Sequence, residues 1–207
     1  MSPVTHFLTG WALANVARLE RRERALVTLA AVVPDVDGLG FIPELLTRGT
    51  SHPMLWFSEY HHALHTLLFA VVVTAAAVIL LKSPPLPRKD GSSSDSILAT
   101  AALVFIAFHV HLLEDILGSR GPDGYAWPVP YLRPFSDSTW TWSGQWGLNA
   151  WPNVAITCVL IALMMWIAVK NGRTPLEFVS RCADEKVVTA VRGWFRNKRE
   201  SAGKSMG

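Results

Sequence analysis

Three stretches of the chain are almost free of polar residues. Ala63–Leu81 runs for 19 residues with His65 near its start. Ile97–Leu113 runs for 17 residues with His109 and His111 near its end. Val154–Val169 runs for 16 residues and extends back to Leu148. A helix that crosses a bilayer needs about 20 predominantly apolar residues, with a lower bound of about 17. All three are expected to span. Buried core helices of a soluble bundle are the competing reading, but the chain has little polar material left to cover them.

The first third is patterned differently. Phe7–Ala17 and Ala25–Val33 are short apolar segments separated by Arg18, Glu20, Arg21, Arg22, Glu23 and Arg24. Ser2 and Pro3 suit the N-cap and first position of a helix. Pro34 disfavours helical geometry at Val33 and should end the second segment. The pattern predicts a helical hairpin with a charged tip. Lys82–Ser96 is Pro/Ser-rich and reads as a flexible connection. Gly118–Pro152 is rich in Gly, Pro and aromatics, including Trp127, Tyr131, Trp140, Trp142, Trp146 and Trp151. Such rings concentrate at membrane–water boundaries, where this loop is expected to lie. After Val169, Thr174-Pro175-Leu176-Glu177 fits a capping box. Leu176, Val179, Ala183, Val187, Val191 and Trp194 then follow at helical spacing, which predicts a basic amphipathic helix on the lipid surface. The expected fold is an all-α, multi-pass membrane bundle. It has an N-terminal helical hairpin and a C-terminal amphipathic helix. A membrane-embedded domain covers 1–170, with a basic helix and tail over 171–207.

Composition narrows the class. Half of the residues are hydrophobic and only 17% are charged, against about 25% in ordinary soluble proteins. Disordered and fibrous proteins are excluded. The two cysteines, Cys158 and Cys182, stand too far apart for a thiolate metal motif. No nucleic-acid motif is present, so no nucleic-acid partner is expected.

Charge then gives a direction. The formal net charge is only +3. Folding the helices up and down puts residues 18–24, the Lys82–Ser96 connection and the tail on one face. That face holds 16 of the 19 Lys and Arg and has a net charge of +8. The opposite face holds Arg48, Arg120 and Arg133 and has a net charge of −5. Basic loops stay in the cytoplasm. The first face is therefore expected to be cytoplasmic and the second exoplasmic, in a cell or inner membrane.

All seven histidines lie on or near the acidic face. With them lie Asp35 and Asp37 in Pro34-Asp35-Val36-Asp37-Gly38, and Glu114 and Asp115. Placed on helices, His61 and His65 are at i, i+4, His62 and His65 at i, i+3, and His111 and Asp115 at i, i+4. Helical bundles build metal sites from such inward pairs. The expected ligands are His6, Asp35, His61, His62, His65, His111 and Asp115, with His61 and His62 as alternatives to each other. Imidazole and carboxylate without thiolate suit a divalent metal, Zn²⁺ first and Mn²⁺ or Fe²⁺ next. Asp37 is a ligand, a partner of a ligand or a turn residue, and is assigned with Arg120 to the catalytic set. Arg120 and Arg133 are candidates for gripping an anionic head group. His109 points about 200° away from His111 on a helix and suits packing. His52, beside Pro53, reads as incidental.

At these residues the chain resembles the YdjM-like family of membrane-bound, predicted metal-dependent hydrolases. The matching pieces are Thr5-His6-x3-Gly10, Pro34-Asp35-x-Asp37, the His-rich stretch 61–66, His111-Leu-Leu-x-Asp115 and the loop 118–136 that follows. The likeness covers roughly residues 1–170. The family commonly has His-Arg before its final His in the second motif, and here His62 stands where that Arg often does. The His/Asp pattern is distantly similar to that of helical zinc phospholipase C enzymes, which hydrolyse phosphoesters. The resemblance implies a helical metal-dependent hydrolase, and the membrane setting makes a lipid-like or phosphorylated substrate the first expectation. A metal-ion transporter or sensor, or a membrane adaptor acting through the tail, are the alternatives.

Overall fold

The computed structural model describes residues 1–83, 94–121 and 124–204. Most of the Pro/Ser-rich connection, residues 84–93, lies outside them. Eight α-helices are present among the described residues: α1 (Pro3–Ala14), α2 (Arg21–Ala30), α3 (Phe41–Thr47), α4 (Trp56–Tyr60), α5 (Leu67–Lys82), α6 (Ser94–Gly118), α7 (Trp151–Asn171) and α8 (Arg181–Lys204). Two 3-10 helices, Val33–Gly40 and Pro175–Phe178, join them. Among the described residues, only isolated bridges pair backbone in an extended manner, Arg120 with Gly147 and Val129 with Trp140. The fold is an all-α membrane bundle with an N-terminal helix pair and a C-terminal helix.

Ser2 accepts from the backbone of Thr5 and starts α1. α1 then packs on α2, α6 and α7, and α6 packs on α2 and α5. Small residues let the axes approach. Gly10 is one of them: a Cβ there would sit 2.7 Å from Ala31 Cβ and 2.8 Å from the Thr28 carbonyl. Ala14, Ala30, Ala31, Ala77 and Ala107 continue this seam around Val27 and Val104. A second cluster, Ala70, Phe108, Leu112 and Val129, lies between α5, α6 and the aromatic loop.

Among the described residues, two helices are long and apolar enough to cross a membrane, Ser96–Gly118 and Trp151–Asn171. Only 33% and 17% of their most apolar windows are buried within the protein. Their apolar side chains therefore need lipid around them. α2 with residues Val33–Thr47 passes the same test as a pair bent by 50°. The third expected span falls short. α5 starts at Leu67, capped by Thr66, and has 16 residues. At 1.5 Å per residue it covers about 24 Å of a hydrocarbon core about 30 Å thick.

The cause is the His-rich stretch, which does not open the helix as expected. His61, His62, Ala63 and Leu64 form a turn, and His62 has φ +76°. The helical spacing expected among His61, His62 and His65 is therefore absent, and a turn brings them together instead.

The tail differs in one respect. Thr174 caps only the short 3-10 turn, and α8 begins at Arg181. Glu177 does not close a capping box. It is buried and receives Nε and Nη2 of Arg24, each at 2.7 Å. Thr174 also receives help from α8, because Asp184 accepts both its N–H and its hydroxyl at 2.6 Å. The end of α7 is thereby clasped to the charged tip of the N-terminal hairpin.

Candidate metal centre

α1, the 3-10 turn after α2, the turn before α5 and the end of α6 meet at one end of the bundle. Two groups of ligand-type side chains result: His6, Asp35, His111 and Asp115, and His62, His65 and Asp115. Asp115 belongs to both. One oxygen, Oδ1, lies 3.2 Å from His6 Nε2. The other, Oδ2, lies 3.1 Å from His111 Nε2 and 3.3 Å from His65 Nε2. Asp35 stands across the space, 3.9 Å from His6 Nε2 and 3.7 Å from His111 Nε2. The Nε2 atoms of His65 and His111 face each other at 3.1 Å.

Three of the four imidazoles are held from behind. His6 Nδ1 donates to Glu114 Oε2 at 2.6 Å, and Thr9 donates to the other oxygen of Glu114 at 2.6 Å. His111 Nδ1 donates to the carbonyl of Ala31 at 2.9 Å. That carbonyl is free because the next turn is 3-10 and its natural donor position is Pro34, which has no N–H. Asp35 N bonds Val32 O instead. His62 Nδ1 points to the carbonyl of Pro128 at 3.4 Å, and His65 Nδ1 faces Asp37 Oδ2 at 3.7 Å. A Nδ1–H bonded outward leaves Nε2 with its lone pair turned inward, as metal-ligating histidines require.

The donor set fits a metal ion. His6 Nε2, Asp35 Oδ2 and Asp115 Oδ2 are buried without a hydrogen-bond partner. Unpaired buried polar atoms are costly unless something outside the chain satisfies them. Tetrahedral ligands at zinc distances would stand about 3.3 Å apart, close to the observed 3.1–3.9 Å. The carboxylates also give the site a field that favours positive charge. Burial lowers the pKa of His65, but Asp115 and Asp37 outweigh it and raise that pKa above its ordinary value. Burial, with His65 and His61 alongside, pushes His62 down to about 3 and keeps it neutral.

Asp115 is further positioned by Ser119, whose hydroxyl donates to Oδ1 at 2.7 Å, and by the Met1 ammonium. Gln145 donates to the Asp115 carbonyl at 2.8 Å. Asp37 receives His61 Nδ1 at 3.2 Å and Leu64 N at 3.0 Å, so it braces the His-rich turn. His61 lies one layer out, stacked on Phe57 with ring centroids 4.5 Å apart. His109 is occupied elsewhere, by the Phe105 carbonyl and the Tyr131 hydroxyl. His52 is exposed. Arg120 donates to the Ser143 carbonyl at 2.6 Å and fastens the aromatic loop.

A cleft of about 290 Å³ opens beside the second group, lined among others by His61, His62, Tyr125, Trp127 and Arg133. Its basic residue is thus Arg133, not Arg120. Glu114, Thr9 and Gln145 are contacts that sequence spacing did not assign. Glu114 carried a signal, since it adjoins Asp115 inside an apolar helix where a charge is costly.

Fold and site together define a multi-pass helical membrane protein with a buried His/Asp cluster suited to a divalent metal. A family model for the YdjM inner membrane protein matches residues 1–183. The chain belongs to the YdjM family. No curated protein and no solved structure matches it.

Proposed function

We propose that this protein is a membrane-bound, metal-dependent hydrolase acting on a phosphoester of a lipid or lipid-linked substrate. The observation that carries the reading is the pair of ligand groups sharing Asp115, with His6 and His111 braced from behind and an accessible cleft alongside. His6, Asp35, His111 and Asp115 would hold one ion, and His62, His65 and Asp115 a second. A donor set of imidazole and carboxylate favours Zn²⁺, then Mn²⁺ or Fe²⁺. A divalent ion held there would polarise a phosphoryl oxygen and bring the pKa of water to about 7.

The chain's own residues supply the rest. Glu114 and the Ala31 carbonyl fix the tautomers of His6 and His111. Asp37 holds the His-rich turn against the centre. Trp127 and Tyr125 form an aromatic wall, and Arg133 offers a planar cation for an anionic head group. The segregation of Lys and Arg favours a centre at the exoplasmic face with the tail in the cytoplasm.

The test is metal content and phosphoester turnover by purified wild-type protein and by His111→Ala/Asp115→Ala. We expect bound metal and turnover in the wild type and loss of both in the variant. Stoichiometric metal in the variant would refute the ligand assignment. Metal flux in proteoliposomes without turnover would make the protein a transporter.

A further inference from the structure

We infer that the elbow between α7 and α8 is a binding site for an anionic phospholipid, at the end of the bundle away from the metal centre. A cavity of about 440 Å³ lies there, lined by Trp166, Val169, Arg192, Phe195 and Arg196. A second, of about 450 Å³, runs between α1 and α7 and is walled by Leu13, Val16, Leu163 and Ile167. Trp166 lines both. Lys170, which lines the second, has its ammonium 4.6 Å from the Trp166 ring centroid. The two spaces thus flank Trp166, a basic, aromatic pocket on one side and a largely apolar groove on the other, placed for a lipid head and chain.

The basic end is built from the backbone. α7 ends at Gly172 in the left-handed conformation, φ +66°. A Cβ there would come within 2.9 Å of Arg192 Nη2, so the glycine admits the guanidinium. Arg192 then donates Nε and Nη2 to the Val169 carbonyl at 3.1 and 2.9 Å. Val169 is among the last carbonyls of α7 and has no donor within the helix. Arg196 follows one turn later on the same face of α8. Among the described residues, no carboxylate lines either cavity. Lys170, Arg192 and Arg196 leave an unbalanced positive field beside a membrane span. A phosphate with no compensating choline matches it, and a zwitterionic head brings its own cation against three others. Basic residues near a membrane surface each contribute about 1 kcal/mol toward anionic lipid.

This reading does not depend on the hydrolase assignment. The experiment is native mass spectrometry of delipidated full-length protein in neutral detergent, titrated with phosphatidylglycerol or phosphatidylcholine. We expect one phosphatidylglycerol bound in preference to phosphatidylcholine. Arg196→Gln should weaken it about fivefold and Lys170→Gln/Arg196→Gln about thirtyfold, at ~1 kcal/mol per charge. Arg181→Gln/Lys186→Gln removes the same charge from α8 outside the elbow and should change binding less than twofold. Soluble glycerol phosphate should not compete. Thermal unfolding in detergent should be unchanged in all variants, which shows that they fold. Equal binding of both lipids, equal loss in the control, competition by glycerol phosphate, or self-association of the protein through this face would each overturn the assignment.

Discussion

Glu114 uses both of its carboxylate oxygens on α1. It sits beside Asp115 in a membrane helix, takes a hydroxyl from Thr9, and gives its other oxygen to His6 Nδ1. Outer partners of this kind change metal affinity by about 10- to 100-fold. Glu114→Gln should weaken metal binding within that range while keeping stoichiometry, measured by competition with a chelating dye. An unchanged affinity would mean that His6 is not a ligand. His62 allows a different separation. Its φ of +76° is a conformation that costs a side-chain-bearing residue roughly 1–2 kcal/mol. Strain of this type persists where the surroundings enforce it, often at functional sites. Both His62→Ala and His62→Gly should lose the ion proposed for His62 and His65. The glycine variant should nevertheless be the more stable of the two by about 1 kcal/mol in thermal unfolding. If the alanine protein melts higher, the turn is not strained.

The elements show how far the sequence could be read, and why it stopped. The N-terminal hairpin and the α6 and α7 spans were legible because apolar length and charge position are local properties. Asp35, His111 and Asp115 were legible as partners because Pro34 ends one element near where another closes. The turn at 61–65 was not, since His61, His62 and His65 carry helical spacing and only Asp37, held to Leu64 N and His61, selects a turn. The role of Glu177 was also hidden. Thr174-Pro175-x-Glu177 is a sound capping signature, but a buried Arg24 153 residues away outbids the cap. Both side chains of that pair are nearly inaccessible. Removing one partner of a buried ion pair costs about 3–5 kcal/mol, because the other charge stays buried. Arg24→Ala should therefore loosen the junction between α2 and the tail and lower thermal stability by that order. Arg24→Met/Glu177→Leu should recover most of the loss. If the double variant is as unstable as the single one, the pair itself holds the junction and not the packing around it.

On the scale of the whole molecule, the separation of charge and chemistry becomes one arrangement. The His/Asp centre occupies one end of the bundle, and Lys170, Arg192 and Arg196 occupy the other. Between them run two spans whose outer surfaces are apolar. The distribution of Lys and Arg argues that the basic end faces the cytoplasm, and the protein's own cysteines make this testable. Cys182 is exposed near the start of α8, and Cys158 is exposed midway along α7. A charged maleimide reaches thiols in water but not in hydrocarbon. On sealed vesicles of known orientation it should label Cys182 only from the cytoplasmic side, and Cys158 from neither. Ser138→Cys, in the exposed loop beyond the metal centre, should be labelled only from the opposite side. Labelling of positions 138 and 182 from one side would mean that α7, the span between them, does not cross the bilayer. The count of 16 basic residues against three would then have another cause.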